Sequence, residues 1–483
     1  MLIEEFSVKP IVIKVLASAA LLTLAACAVQ PETHADLQHT VQAVAPTAWN
    51  VDAPQDSVSA DTWWAQFGDP VMHRLVESVL TGNLDVQAAV ERVKQAQDLA
   101  TQNRAALLPE LNASATASDS RQNTPPPLGY VRQAGVGLTA SWMPDVFGGE
   151  RLAVLAAQAQ VSGRQAALNQ LRLALAANTA AAYIDLRWAQ SQLQILSDNE
   201  QIRARALKLT QERLHYGLST QLDVARAQNQ LEDLQAQIPR VQSAVQHQLS
   251  LIAVYSGRTP ESVDGLLLAN ARDIPVPAQS VPQTLPSEAL LQRPDVRNAY
   301  ATVEQRAAEV GVSKAQRYPQ FRLNLADGLL ASSYLGLPTL TDNLFSAALN
   351  ATSPIFNAGR ITANIDASES RMRESQLGLQ QAMLQALKEI EDNRSDLVNG
   401  AVQVQRLGGA LDASDHALHL SSELYKGGAT DFLDVLAAQE AYLRDAESLN
   451  QAKREHALAA VALYRSLGGG WDVPATITAA SAN

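Results

Sequence analysis

His416 and His419 stand three residues apart, a spacing that sets two imidazoles on one face of a helix and could begin a metal site. No cysteine or paired acidic ligand lies nearby to complete a set, so a solvated helical face is the favoured reading. Gly468-Gly469-Gly470 has the glycines of a phosphate loop but not the Gly-Lys-Ser/Thr that must follow, and reads instead as the end of a helix. Asp223 and Asp434 come three and four residues after Thr220 and Thr430. Carboxylates there suit the positive end of a returning helix. None of these groupings makes a catalytic constellation, and the reading is of a protein that is not an enzyme and needs no cofactor or metal.

Cys27 is the only cysteine, so no disulfide can form within the chain. Lys9 and Lys14 precede an apolar run over residues 15–26 that is too short to span a bilayer as a helix and reads as an export signal. Leu24-Ala25-Ala26-Cys27 resembles a bacterial lipobox, in which the cysteine becomes the lipidated N-terminus. The alternative is an ordinary signal peptide with a chance cysteine. Glu4 and Glu5 are unusual at the start of such a signal and suggest a true start further on. Ala28, where enteric lipoproteins retained at the inner membrane carry Asp, implies sorting to the outer membrane.

The elements that position these residues are written twice. Asn83-Leu84-Asp85-Val86 is answered by Arg293-Pro294-Asp295-Val296, Leu108-Pro109 by Tyr318-Pro319, and Phe147 to Arg151 by Phe356 to Arg360. The stretch from His215 to Val224 returns as Tyr425 to Val435, and Gly257 returns as Gly468. The anchors keep an offset of 209 to 211 residues, which predicts two similar halves related by internal symmetry.

Within each half, apolar residues recur every seven positions. Leu168, Leu175, Ala182, Ala189 and Leu196 form one series; Val224, Leu231, Ile238, Val245 and Ile252 form a second. Met383, Ile390, Leu397, Val404, Leu411 and Leu418 lead to Tyr425 in a third. Repeats of this length predict helices in coiled-coil contact, the first running roughly 95 Å from about Arg151 to Leu214. Glycines break each window once, at Gly217 and at Gly427-Gly428, where a hydroxyl residue follows to cap the returning helix. Pro239 should kink the first return; the second has no such proline. Aromatics at 5% and charged residues at 18% suit long helices with small contact residues, and a net charge of -12 argues against nucleic acid.

Period-two alternation marks four strands, at about 111–118, 134–142, 320–327 and 344–352. The segments 120–133 and 331–342 between them read as exposed loops. Four strands cannot close a barrel, and lipid does not tolerate an open sheet edge, so spanning strands require several chains around one axis. The expected organisation is a signal peptide (1–26), a lipidated N-terminal segment and part of a belt (27–80), a first repeat (81–257, helical hairpin about 150–257), an extended Pro-rich linker (258–290), a second repeat (291–470, hairpin about 360–468) and a tail (471–483). No segment after the signal is apolar enough to span a membrane as a helix.

The chain resembles the TolC-like outer-membrane factors, in the lipoprotein branch that serves resistance-nodulation-division (RND) efflux systems. The matching residues are Trp63-Trp64 with Phe67-Gly68-Asp69-Pro70, Trp142 through Asp145 to Arg151, Leu290 to Asp295, Pro354-Ile355-Phe356, Gly359-Arg360, and Leu467 to Trp471. They cover the chain from about Thr62 to Trp471, and their order is more specific than any one of them. The resemblance implies a mainly α fold with a membrane β-barrel contribution: a homotrimer with a long helical tunnel and one twelve-stranded barrel. It further implies a passive exit duct in outer-membrane lipid, meeting a periplasmic adaptor (membrane fusion protein) and energised by an inner-membrane RND transporter.

By the same resemblance, Tyr216, Gly217, Leu218, Ser219, Thr220, Gly427, Gly428, Ala429 and Thr430 form the tips that contact the adaptor, and Asp223, Tyr425 and Asp434 belong to the periplasmic gate. Thr430 stands where the family carries a gating arginine and Ala437 where it carries a second acid, so an arginine lock at that position is absent. Three Asp434 carboxylates in a ring would favour cations, and capping by the same residue is compatible with that role. An exit duct for type I protein secretion and a soluble periplasmic coiled-coil scaffold remain as alternatives; the lipobox and the Arg293-Pro294-Asp295 region favour efflux over secretion, and the strands count against a scaffold.

Overall fold

In a computed structural model, the described residues are 29–51, 55–56, 63–122, 129–262, 267, 273–276, 281–282, 284–334 and 339–469. Cys27, the signal segment, the centre of both strand connections, Trp471 and the tail lie outside them. In chain order the elements are α1 (Leu37–Val44), β1 (Gln55–Asp56), a 3-10 turn (Trp63–Phe67), α2 (Pro70–Gly82), α3 (Leu84–Ala105), β2 (Glu110–Gln122), β3 (Gly129–Trp142) and α4 (Gly149–His215). Next come α5 (Gln221–Gln235), α6 (Ile238–Tyr255), β4 (Val281–Pro282), α7 (Pro286–Gln292), α8 (Pro294–Ala315), β5 (Gln320–Tyr334), β6 (Leu340–Thr352), α9 (Arg360–Lys426) and α10 (Phe432–Ser466). Two compact units divide the chain. One gathers the residues through Asp36 with Arg92–Gln165 and Asn298–Leu379; the other holds Leu37–Glu91, Ala166–Arg297 and Gln380–Asn483.

The first unit carries an antiparallel sheet in the order β2-β3-β5-β6, one hairpin from each repeat. The strands run further than the alternation predicts, and the two expected loops shrink accordingly. Alternation fades at Asp119, Ser120 and Arg121, yet the backbone ladder continues to Gln122 opposite Gly129. Cross-strand pairing supplies the reason: Asp119 faces Arg132, and their side chains form an ion pair at 3.2 Å. At the other end of the sheet, the described N-terminal residues run along α8. The Val29 amide donates to the Phe147 carbonyl at 2.9 Å, and Lys314 reaches Glu32 at 2.5 Å. Ala307, Val310 and Met372 form the apolar contact between α8 and α9 in this unit.

The second unit is packed by the residues of the seven-fold series. Leu168, Leu175, Ala182, Ala189, Leu196, Val245, Ile252, Met383, Ile390, Leu397, Leu418 and Tyr425 are all buried. The 67-residue helix α4 is matched by an α9 of equal length. Pro239 stands at the start of α6, and the return breaks at Ala236 and Gln237; the second return, α10, runs 35 residues without a break. Asp69 caps α2, accepting from the amides of Val71 and Met72 at 2.8 and 3.2 Å and from the Tyr183 hydroxyl at 2.7 Å. Trp63 stacks on Tyr464, with ring centroids 5.6 Å apart.

Equivalent corners of the two repeats do the same work with different chemistry. The Asn83 amide donates to the Tyr255 carbonyl at 2.9 Å; its counterpart Arg293 donates to the Ser466 carbonyl at 2.8 Å. A methyl group on Gly257 would lie 2.6 Å from the Gly82 carbonyl oxygen, and one on Gly468 would lie 3.0 Å from the Arg293 amide nitrogen, so both corners exclude a side chain.

The linker is not extended throughout. Pro286 opens helix α7, because a first-turn position needs no amide donor, and Glu288 reaches back to the Leu285 amide at 3.1 Å. β1 and β4 pair in parallel, Gln55 with Val281 and Asp56 with Pro282, which ties the N-terminal segment to the linker.

Candidate functional site

The candidate site residues fall on two features of the fold, the sheet and the pair of helical tips. In the sheet, pairing fixes which side chains share a face. Leu111, Ala113, Ala115 and Ala117 of β2 align with Ala140, Leu138, Val136 and Ala134 of β3. They continue through Leu323, Leu325, Leu329 and Ala331 of β5 to Leu349, Ala347 and Phe345 of β6, interrupted by Asp327, by Asn343 and Thr341 opposite Leu329 and Ala331, and by the Asp119–Arg132 pair at the far end. The opposite face carries Asn112, Ser114, Thr116, Ser118, Gln133, Thr139, Ser141, Asn324, Ser346 and Asn350, with glycines at 135, 137 and 328, and turns apolar toward one end at Val131, Leu330, Leu340 and Leu344. Ala134 to Trp142 on β3 would extend about 26 Å along the strand. From the foot of the sheet to about its middle one face is thus mainly apolar and unburied and the other mainly polar, which is the pattern of a strand between lipid and water. β2 and β6 each leave one edge of the described sheet unpaired, and every residue of β6 is exposed.

The tips close by one device used twice. At the end of α4 the Leu218 amide donates to the Arg213 carbonyl at 2.8 Å and the Gly217 amide to Leu214 at 2.9 Å. At the end of α9 the Ala429 amide donates to Leu424 at 2.9 Å and the Gly428 amide to Tyr425 at 3.1 Å. These are Schellman motifs, and the residue after each helix must turn left-handed; Gly217 has φ +68° and Gly428 φ +73°. Of the pair Gly427-Gly428, only the second takes a positive φ.

The helices restart differently. Thr220 caps α5 through a capping box: its hydroxyl accepts from the Asp223 amide at 3.2 Å, while the Asp223 carboxylate accepts from the Thr220 amide at 3.2 Å and the Ser219 hydroxyl at 3.2 Å. The Thr220 hydroxyl also donates to that carboxylate at 2.7 Å. These hydrogen bonds, the Thr220 hydroxyl first, hold the Asp223 carboxyl below its ordinary range. At the second tip Thr430 is not the cap. Asp431 takes that position without a side-chain bond, and the Thr430 hydroxyl donates to Asp434 as the Ser219 hydroxyl does to Asp223.

Tyr216 and Leu218 project into solvent, and Gly217, Thr220, Gly427, Gly428, Ala429 and Asp434 are exposed; Ser219, Asp223 and Thr430 are half-buried. Tyr425 is buried, in a cluster with Leu207, Ala227, Phe432 and Val435 that joins the two hairpins. Asp223 and Asp434 are each bound within their own tip and share no partner among the described contacts.

The sequence reading missed the residue that links the tips. Arg213, in the last turn of α4, lies 4.6 Å from the Tyr425 ring centroid and donates to the Tyr425 carbonyl at 2.7 Å. It also reaches the Lys426 carbonyl at 3.4 Å and the Leu218 carbonyl at 3.5 Å. The only local signal was a cation in a last helical turn, where the dipole favours one. Further up, Arg203 donates to the Gln230 carbonyl and side chain at 2.6 and 2.7 Å, and Gln230 donates to Glu440 at 3.1 Å. His416 and His419 are both exposed on α9.

A mainly helical chain with a four-stranded sheet, duplicated and amphipathic in this way, is a TolC-like outer-membrane channel fold. The outer membrane efflux protein family matches residues 75–258 and again 285–469, once per repeat, and the chain belongs to that family. It is 30% identical over 443 residues to the pyoverdine export outer membrane protein OpmQ of Pseudomonas aeruginosa, covering 88% of this chain and 91% of that protein. It is 27% identical to the solvent efflux pump outer membrane protein SrpC of Pseudomonas putida, over 94% of this chain and 97% of that one. Among solved structures it superposes on the outer-membrane channel OprN with a TM-score of 0.82 at 29% identity, covering 88% of this chain and 97% of OprN.

Proposed function

We propose that the protein is the outer-membrane component of a tripartite efflux pump: a passive, homotrimeric exit duct for small toxic compounds, without chemistry of its own. The sheet carries this reading. It has a lipid-compatible face, a wet face and two open edges, and four strands cannot enclose a lumen. Three copies supply twelve strands.

The exposed tip residues, with Tyr216 and Leu218 foremost, are the surface offered to a periplasmic adaptor, which couples the duct to an inner-membrane RND transporter. Asp434, exposed beside its tip, contributes to an acidic ring that favours cations. Cys27 carries the lipid anchor. Supporting this, Val29 bonds to Phe147, five residues past the end of β3, so the chain two residues after Cys27 lies at the base of the sheet.

Cell fractionation tests the proposal: the protein should sediment with outer membranes as trimers, and recovery with soluble periplasmic contents would refute it. Labelled palmitate should enter the parent and not Cys27→Ser; equal labelling would refute the anchor. Reversing charge at Asp434 should weaken cation preference in planar-bilayer recordings, and an unchanged preference would remove the ring.

A further inference from the structure

The polar face of the sheet carries little charge. Among the described strand residues it holds one cation, Arg322 on β5, and two acids, Glu110 on β2 and Asp342 on β6. Pairing sets the face. Asn112 lies opposite Thr139, Thr139 opposite Ala326 and Ala326 opposite Ser346, so even positions of β5 and β6 share the side of Asn112 and Thr139. Arg322 is therefore on the polar side, and Leu323, the next residue, on the apolar one.

Arg322 stands among neutral donors. Asn350 of β6 lies directly opposite it, Asn324 is the next residue on its own face, and Gln320 pairs with Thr352 below. Among the described residues no ion pair or hydrogen bond holds Arg322, which is exposed. Glu110 stands two strands away, reached from Asn324 through Ser141, about 10 Å across the sheet. Its carboxylate already accepts from the Asn112 side chain at 3.2 Å. Asp342 is eight positions along β6 from Asn350, about 26 Å. Exposed charges at physiological ionic strength act over about 8 Å, so neither acid cancels the guanidinium where it stands.

We propose that Arg322 selects cargo on the wall of the duct. Three copies of the chain place three guanidiniums around the lumen, each beside Asn324 and Asn350. They bind in passing the oxyanion groups (carboxylate, phosphate or sulfonate) of small molecules on their way out. The inference rests on the duct reading above, which makes the polar face the lumen face, and adds a substrate class to it. A guanidinium presents paired N–H donors that match two oxygens of such a group, and the flanking amides supply more. Basic rings favour anions in other pores, and conduction requires that the ion can leave again, which suits an exposed site. Packing does not account for this charge: no described side chain leans on it, in a wall otherwise of Asn, Ser, Thr, Gly and Ala. Asp434 belongs to the second compact unit, so a cation preference set there is common to every variant of residue 322 and drops out of their comparison.

The test uses the full chain in planar bilayers. Arg322→Gln should lower the chloride-to-potassium permeability ratio, and Arg322→Glu should lower it further. Inorganic pyrophosphate, the probe oxyanion, should block the parent more strongly than Arg322→Gln. Arg322→Cys separates charge from loss of the side chain. Coupled to a trimethylammonium methanethiosulfonate it should return toward the parent's ratio; coupled to the sulfonate reagent it should fall below Arg322→Gln. Leu323→Cys, on the lipid face, should react with neither reagent, and the parent, with Cys27 as its only cysteine, is the blank. Equal permeability ratios and equal pyrophosphate block in the parent, Arg322→Gln and Arg322→Glu would overturn the proposal and leave the duct standing. Reaction at Leu323→Cys with none at Arg322→Cys would put the guanidinium on the wrong face and overturn it as well. A parent that forms neither trimers nor conducting channels would overturn the duct reading itself.

Discussion

The guanidinium of Arg213 lies 4.6 Å from the centre of the Tyr425 ring and bonds to the carbonyl of the same residue at 2.7 Å. One side chain from the first repeat therefore holds both the ring and the backbone at the end of the second repeat's long helix. Arg213 thereby links the two tips from the first hairpin to the second.

Replacing Arg213 by Ala should loosen the second tip. A partly exposed cation–π contact is worth about 0.5–1 kcal/mol, and a hydrogen bond from a charged donor about 1.5–3 kcal/mol. Larger or more frequent conductance openings in planar bilayers are expected. Arg213→Lys should recover only part of the closure, because an ammonium lacks the planar stack. Conductance equal to the parent in both variants would remove the link from the gate.

The capping box at Thr220 predicts acid sensitivity of the first tip. The folded Asp223 carboxyl titrates below its ordinary range, so its contribution is complete above about pH 4 and is lost as pH falls through the lowered folded value. Thr220→Ala should destabilise the start of α5 by about 1 kcal/mol. Amide hydrogen exchange at residues 221–224 should rise in this variant near neutral pH, and in the parent only in acid.

Arg293 is buried, bonded to Asp295 at 2.6 Å, Glu389 at 2.9 Å and the Ser466 carbonyl. Burial works against its charge, but the two carboxylates more than offset this and raise its pKa. Arg293→Ala removes the cation from Asp295 and Glu389, which keep the Val296 amide and the Gln385 side chain as donors, and should cost about 1.5–3 kcal/mol. Thermal unfolding should begin well below that of the parent. Arg293→Lys should fall between the two, since one ammonium cannot reproduce the bidentate geometry.

His456 packs against Gly400, where an added methyl would lie 3.1 Å from the imidazole Nδ1. Burial lowers its pKa. The folded protein then holds fewer protons than the unfolded chain as pH drops below about 6.5, so stability falls from that point down to the lowered folded value. His456→Leu should flatten this part of the stability–pH curve. Gly400→Ala should lower the melting temperature at every pH, and a variant as stable as the parent would mean that α9 and α10 yield at this crossing.

Much of this protein is legible in its residues alone. The seven-residue series, the two glycine turns, the break at Pro239, the four alternating strands and the duplication are local or periodic signals, and backbone geometry converts them directly into helices, turns and a two-faced sheet. What the sequence could not decide depends on groups brought together from far apart. The outer ends of the strands are held by pairing, as between Asp119 and Arg132, after their own alternation has faded. The helix at Pro286 inside a proline-rich linker and the cap at Asp431 in place of Thr430 were settled by backbone hydrogen bonds that composition does not encode. The contact of Arg213 with Tyr425 joins residues 212 positions apart, and no spacing rule reaches across two hairpins. Only the packed tips bring that cation and that ring within range of each other.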